Sequence, residues 1–328
     1  MVRRFIVLSA FLMTACGAPA TATPTVLPPT SEPTVAVVPT VAATEIPAAP
    51  TEITVTDSAA RNVTVKIPVV RAISLAPSTT EIVAALDGTS RLAAIDMYSD
   101  YPAEVSTLPK ITNPDMSVNY EQIAALTPDV VYAAAITAPD VIEGIEKLGI
   151  PVVVVGSVTA TFASTLADIT LVGQTLQRDT EASALTTTMQ TEWDALAQKV
   201  AAIETKPTVF WELDATDIAK PYTVGPDSFV AELLNVAGGV NVFADVTDAY
   251  PQVSLEQIVA KAPETIILAD SIWGVTPEAV VEREGWGAIP AVKNGRVFPI
   301  DDNIVSRPGP RIVQGLAAVV AILHPEVK

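Results

Sequence analysis

The sequence predicts a duplicated α/β fold: two Rossmann-like lobes with parallel-type sheets, bridged by a long helical segment. Three observations point to it. Continuous runs of Val, Ile and Ala recur between helical stretches, the pattern of parallel strands covered on both faces. Between two such sets, Ser164 to Glu204 places apolar residues at helical spacing, with Gly173 as its one strong breaker. One helix–Pro–strand unit also occurs twice, 135 residues apart, and a repeated unit of this kind signals a repeated architecture.

The elements follow from local chemistry. Ile53 and Val55, then Val63, Val65 and Ile67, alternate with polar residues about a turn at Asp57 to Asn62, which predicts a β-hairpin. Ala72 to Leu75 is a short apolar strand. Ser78 or Thr79 is the candidate cap of the helix that follows, with Glu81 in its first turn and Gly88 as its stop. Strands at Leu92–Ile95, Val130–Ala134 and Val152–Val155 alternate with helices at Tyr120–Ala125 and Asp140–Leu148, filling a lobe over 52–160. Residues 161–206 read as one or two long helices; about 40 helical residues span roughly 60 Å, enough to bridge two lobes. The second lobe, 207–328, opens with a strand at Thr208–Trp211. Helices at Phe229–Val236, Glu256–Ala260 and Pro277–Glu284 and strands at Thr265–Leu268 and Val297–Ile300 follow, and an apolar helix from Ile312 to Leu323 closes the chain. In the repeat, Val118 to Val131 and Val253 to Ile266 each hold an N-cap (Asn119, Ser254), a Glu two residues later (Glu121, Glu256), one apolar helix, then Pro and a buried strand.

Ahead of the lobes lies an address. Arg3 and Arg4 precede a short apolar run, Phe5 to Met13, and then Thr14, Ala15 and Cys16. That order is a secretory signal, far too short to span a bilayer. The single Cys of the chain stands where a lipobox places the residue to be acylated, with Met13 at the usual Leu position, so residues 1–16 read as a lipoprotein signal peptide and Cys16 as the lipidation site. Residues 17–51 read as a tether: Gly17 to Pro50 contains 8 Pro, 7 Thr and 8 Ala, too little burial to offset chain entropy. In extended polyproline geometry, at about 3.1 Å per residue, it reaches roughly 100 Å.

Composition excludes whole classes. The 328 residues are 49% apolar and 17% charged, and 19 basic against 37 acidic side chains give a net charge of −18. Nucleic-acid binding needs a basic footprint, so no nucleic-acid partner is expected. One Cys and one His leave no disulfide framework, no Cys/His zinc cluster and no Ser-His-Asp or Cys-His centre. No Gly-x-Ser-x-Gly elbow or phosphate loop occurs, and Gly285-Trp286-Gly287 is too short for a dinucleotide fingerprint. Asp301-Asp302 offers acid–base chemistry to a secreted α/β enzyme, but an exposed acidic turn explains the pair equally well. The expectation is therefore no enzyme, no catalytic residue, no metal site in the protein itself and no resident cofactor. An adhesin or chaperone, with no small ligand at all, is the other rival. The only His, His324, reads as a helix-end residue rather than a haem ligand.

Six stretches carry a family likeness: Arg71 to Glu81 (RAISLAPSTTE), Tyr98 to Pro102 (YSDYP), the two Glu repeats, Gly149 to Val152 (GIPV), Ala249 to Ser254 (AYPQVS) and Ser306 to Arg311 (SRPGPR). With these the chain resembles the solute-binding lipoproteins of ABC importers for cobalamin and ferric siderophores, the Fe/B12 periplasmic-binding family. The YSDYP and AYPQVS stretches look most like the cobalamin-binding branch. The resemblance implies two α/β lobes on one long rigid backbone helix, a ligand cleft between them, a monomer, and a partner permease with its cytoplasmic ATPase. It implies that Glu121 and Glu256 dock to permease arginines. It also maps Tyr98 and Tyr250 onto aromatics that face the ligand and Arg307 onto a cleft arginine. Ser78, Tyr101, Trp211, Tyr222 and Trp273 are further candidates on loops after strands, where ligands of open α/β sheets bind. The expected cargo is a bulky chelate holding cobalt or iron: cobalamin first, a ferric siderophore second, haem third. Two departures weigh against cobalamin: Asn113 to Met116 and Ala134-Ala135 stand where that branch carries Trp. Ala60 stands where relatives have Gly.

Overall fold

The computed structural model describes residues 51–327; the signal peptide, Cys16 and the tether lie outside them. Strands β1 (Glu52–Thr56) and β2 (Asn62–Lys66) form the expected antiparallel hairpin. The first lobe then runs β3 (Ala72–Ser74), α1 (Pro77–Ala85), β4 (Leu92–Ile95), α2 (Tyr120–Leu126), β5 (Val130–Ala134), α3 (Pro139–Glu146) and β6 (Val152–Val155). After α4 (Phe162–Leu176) and α5 (Asp179–Ala201), the second lobe runs β7 (Thr208–Glu212), α6 (Phe229–Val236), β8 (Val240–Asn241), α7 (Leu255–Lys261), β9 (Thr265–Leu268), α8 (Pro277–Val281), α9 (Pro290–Lys293), β10 (Val297–Pro299), α10 (Asp302–Val305) and α11 (Ile312–Leu323).

Each lobe holds one parallel four-stranded sheet, and the two share a topology. The orders are β4-β3-β5-β6 and β8-β7-β9-β10, so in both the first strand of the lobe lies between the second and the third, with the fourth outside the third. The duplication extends to the caps. Asn119 Oδ1 accepts from Gln122 N at 3.0 Å, and Ser254 Oγ accepts from Gln257 N at 3.3 Å. Eight residues after each cap, both helices end in the left-handed region, at Thr127 (φ 45°) and Ala262 (φ 46°), and Pro128 and Pro263 lead into β5 and β9.

Strand alternation sends side chains to different cores. In β5, Val130 and Tyr132 enter a large core shared with α4 and α5, while Val131 and Ala133 join Ile123 and Ile145 on the opposite face. In β7, Val209 and Trp211 enter the same large core and Phe210 packs with Phe243 and Trp286 on the far side. That shared core runs without interruption from Val55 through the connector to Leu323. Within the connector, Phe162 of α4 stacks on Trp193 of α5, centroids 4.0 Å apart.

The connector is two helices, one of the two readings its spacing allowed, and not the single backbone helix that the resemblance implied; the break falls at Gln177 (φ 55°) and Arg178 rather than at Gly173. Gly173 lies inside α4 because a side chain there would meet Ala182 of α5: an added Cβ would stand 2.6 Å from the Ala182 Cβ. The glycine permits close helix packing and is not a breaker. No helix among the described residues is long and apolar enough to cross a membrane.

Candidate functional site

In a right-handed β–α–β unit the helix runs back against its strands, so helix N-termini gather at the carboxyl edge of the sheet. Bulky apolar side chains are exposed on the loops of that edge in both lobes. Tyr98 and Tyr101 follow β4, Ile136 follows β5, Tyr222 follows β7 and Trp273 follows β9; Trp273 is 77% exposed. Bulky apolar side chains left in water make these loops the candidate binding surface.

The loop after β4 is built on Asp96. Its Oδ1 accepts from Tyr98 N (2.8 Å) and Ser99 N (3.1 Å), and its Oδ2 accepts from the Ser99 hydroxyl. Burial pushes the Asp96 carboxyl above its usual range, against these hydrogen bonds. The Tyr98 hydroxyl donates to Pro114 O at 3.0 Å, fixing the ring at the loop surface. In the second lobe Tyr222 and Tyr250 stand on adjoining segments, tied by Thr223 N to Pro251 O (3.0 Å) and Gly225 N to Ala249 O (2.8 Å). Partial burial raises the Tyr250 phenol above its ordinary pKa. Trp273 ends a single 3₁₀ turn, Ala269–Trp273, ahead of Gly274 at φ 95°.

Arg307 and Tyr101 meet in one ionic cluster that joins the lobes. Arg311 grips Glu81 of α1 bidentately, Nε to Oε2 at 2.8 Å and Nη2 to Oε1 at 2.6 Å. Arg307 Nη1 reaches Glu81 Oε1 at 3.1 Å and Asp100 Oδ1 at 2.7 Å. The Arg311 guanidinium also lies 4.1 Å from the Tyr101 ring centroid. Its hydrogen bonds to Glu81 raise its pKa further. The Glu81 side chain is 2% exposed, and breaking a buried pair of this kind costs about 3–5 kcal/mol. Ser78 is half-buried, and the Gly309 backbone packs beside its carbonyl.

Two sequence expectations need correction here. Trp211 is fully buried on the connector side of β7, so it belongs to the core and not to the ligand surface. The cap of α1 is Ala76, without a side-chain bond; Thr79 Oγ1 instead donates back to Ala76 O at 2.9 Å, and Glu81 sits beyond the first turn, in the ion cluster. Glu121 and Glu256 are both exposed at the second position of their helices. A hydrogen bond from Ser254 holds the Glu256 carboxyl below its usual range.

Below the second-lobe edge lies a buried acid pair. Glu212, at the end of β7, takes two hydrogen bonds from Arg283 at 2.6 and 2.8 Å. Asp270 beside it accepts from Ala215 N at 3.2 Å, its other oxygen lacks a partner, and burial plus the Glu212 charge push its pKa up to about 7. On the first lobe, a cavity of about 440 Å³ opens at the ends of β5 and β6, lined by Ala134, Ala135, Gly156 and Val158. Among the described residues no group of three or more His, Cys, Asp or Glu side chains is placed to hold a metal ion. His324 caps the end of α11, buried against Gly238.

Known proteins share this architecture. A family profile described as periplasmic binding protein matches residues 73–304. A substrate-binding lipoprotein of an ABC transporter from Bacillus subtilis, YvrC, itself uncharacterized, is 32% identical over 84% of this chain and 86% of its own length. The vitamin B12-binding protein of Vibrio parahaemolyticus is 30% identical over 77% of this chain and 88% of its own. The crystal structure of a possible iron-binding, periplasmic solute-binding protein of Staphylococcus epidermidis superposes with a TM-score of 0.68 at 28% identity, covering 78% of this chain and 99% of that one. The duplicated sheets, the shared core and these matches over most of the chain have one reading: the chain belongs to the periplasmic binding protein family.

Proposed function

We propose that this protein is the extracytoplasmic substrate-binding lipoprotein of an ABC importer, held to the outer face of the membrane through Cys16. It captures a bulky metal chelate between the carboxyl edges of its two lobes and passes it to the permease. Cobalamin is the first candidate and a ferric siderophore the second. The observation that carries this reading is the set of exposed aromatics, Tyr98, Tyr101, Tyr222, Tyr250 and Trp273, on edge loops of both lobes. Aromatic faces supply contact area with few rotors, which suits a large flat or amide-clad guest. Any metal arrives inside its chelate, because the residues of this chain need only grip the organic shell.

Glu121 and Glu256 serve as the docking acids. They occupy equivalent places in the two copies of the repeat, both in water and both at a helix N-terminus, where the dipole favours a carboxylate. Arg–carboxylate pairs are directional, so one acid per lobe fixes the orientation of the carrier on the permease. No chemistry on the cargo is required: capture follows from burial, and release from the permease favouring the open form.

The test is retention. The purified protein, incubated with cobalamin, haem or a ferric siderophore and passed through gel filtration, carries chelate absorbance in the protein peak. If no chelate co-elutes, the receptor reading fails.

A further inference from the structure

Arg307 and Arg311, beside Tyr101 on the cargo surface, are already spent within the protein, as is Arg61 at the first-lobe cavity, paired with Asp57 and Glu146. Arg311 is bound through two nitrogens to Glu81, and Arg307 is shared between Glu81 and Asp100. Two guanidinium groups pair directly with two carboxylates, and Asp301 and Asp302 act on them as well, so the cluster offers no spare positive charge. It cannot be recruited cheaply by a guest. Glu81 is buried, and withdrawing Arg311 would strand its charge in the interior. The Tyr101 ring under Arg311 holds the guanidinium further in place.

The rest of the edge is acidic. Exposed Asp115 stands on the first lobe, and exposed Asp214, Asp217, Asp248 and Asp301 on the second. Against them stand Lys220, also exposed, and Lys110, whose ammonium donates to Ser99 O at 2.7 Å. Beyond Arg4 the chain carries 17 basic and 37 acidic side chains (19 minus Arg3 and Arg4, with no acid removed), a net charge of −20, and a field of that sign repels anions on approach. The exposed aromatic faces, negative at their centres, welcome neutral or positive groups.

We infer that this protein selects an uncharged or cationic chelate and turns away anionic ones, with Asp100 denying Arg307 to an incoming anion. This rests on the cargo surface proposed above and sharpens it to a class of guest. Like charges brought together across an interface discriminate strongly between otherwise similar partners, and the acids here supply that repulsion.

Binding of three chelates to the full-length protein in detergent tests it: neutral cyanocobalamin, the monocationic ferric trihydroxamate ferrioxamine B, and a trianionic ferric tris-catecholate. At low salt at least one of the first two binds at least tenfold more tightly than the tris-catecholate. Asp100→Asn raises the ratio of tris-catecholate to neutral-chelate affinity by about tenfold, and Asp100→Glu restores it. A wild-type preference for the trianion, or an unchanged ratio in Asp100→Asn, overturns the charge inference and leaves the receptor standing. Failure of all three to bind removes both.

Discussion

Asp270 ties the stability of the second lobe to pH. An isolated aspartate titrates near 3.9; in the fold, burial and the neighbouring Glu212 raise Asp270 to about 7. Between these values the folded state binds more protons than the unfolded one. Stability therefore falls as pH rises from about 4 to about 7 and is level above that. Asp270→Asn removes the titration and with it the second carboxylate charge beside Glu212. The variant is expected to melt above the parent at pH 8, by about 2–4 °C for each kcal/mol gained, with the gap closing toward pH 4. Equal gaps at both pH values in a thermal scan would show that Asp270 is not the titrating group. At this scale the sequence is least legible. Glu81 and Arg311 lie 230 positions apart, and no local pattern pairs them; Glu81 reads as an ordinary helix-start acid. Trp211 sits in a strand apolar on both faces, where no alternation reveals which side a residue takes.

Among elements, the two repeat helices stop in the same strained way. Thr127 and Ala262 hold left-handed backbone without glycine, a conformation that costs an L-residue about 1–2 kcal/mol. Both are exposed, so nothing is lost by trimming them. Thr127→Gly is expected to stabilise by ~0.5–1 kcal/mol after the entropy cost of glycine is taken off. Ala262→Gly should give less, since it lacks the branched side chain of Thr127. Urea unfolding midpoints measure both, and a loss of stability in Thr127→Gly would show that the turn does not depend on its backbone strain. Elements were the most legible scale. Continuous Val/Ile runs located seven of the eight parallel strands, and caps and Pro located the repeat helices. The exception, β8, spans two residues, too few to leave a pattern. The position of the stop between α4 and α5 is not legible, because Gln177 and Arg178 are good helix formers and tertiary packing turns the chain there.

For the molecule as a whole, delivery and capture are separable. Glu121→Ala with Glu256→Ala is expected to leave chelate affinity within about twofold, as expected for exposed substitutions that leave the core intact, while ATP-driven uptake in vesicles carrying the cognate permease is lost. If affinity collapses instead, these acids belong to the cargo surface and not to docking. The overall architecture was legible through the repeat, since two copies in one register leave few arrangements other than twin lobes; the ionic seam joining those lobes was not, because it depends on how they face one another. The apolar interior is shared as well: side chains from the hairpin, both connecting helices and the closing helix α11 form one body. Gene fragments cut at the waist would therefore not yield two small independent proteins. Each piece would emerge with an oily flank where its sibling should be, and would be cleared by proteases or clump.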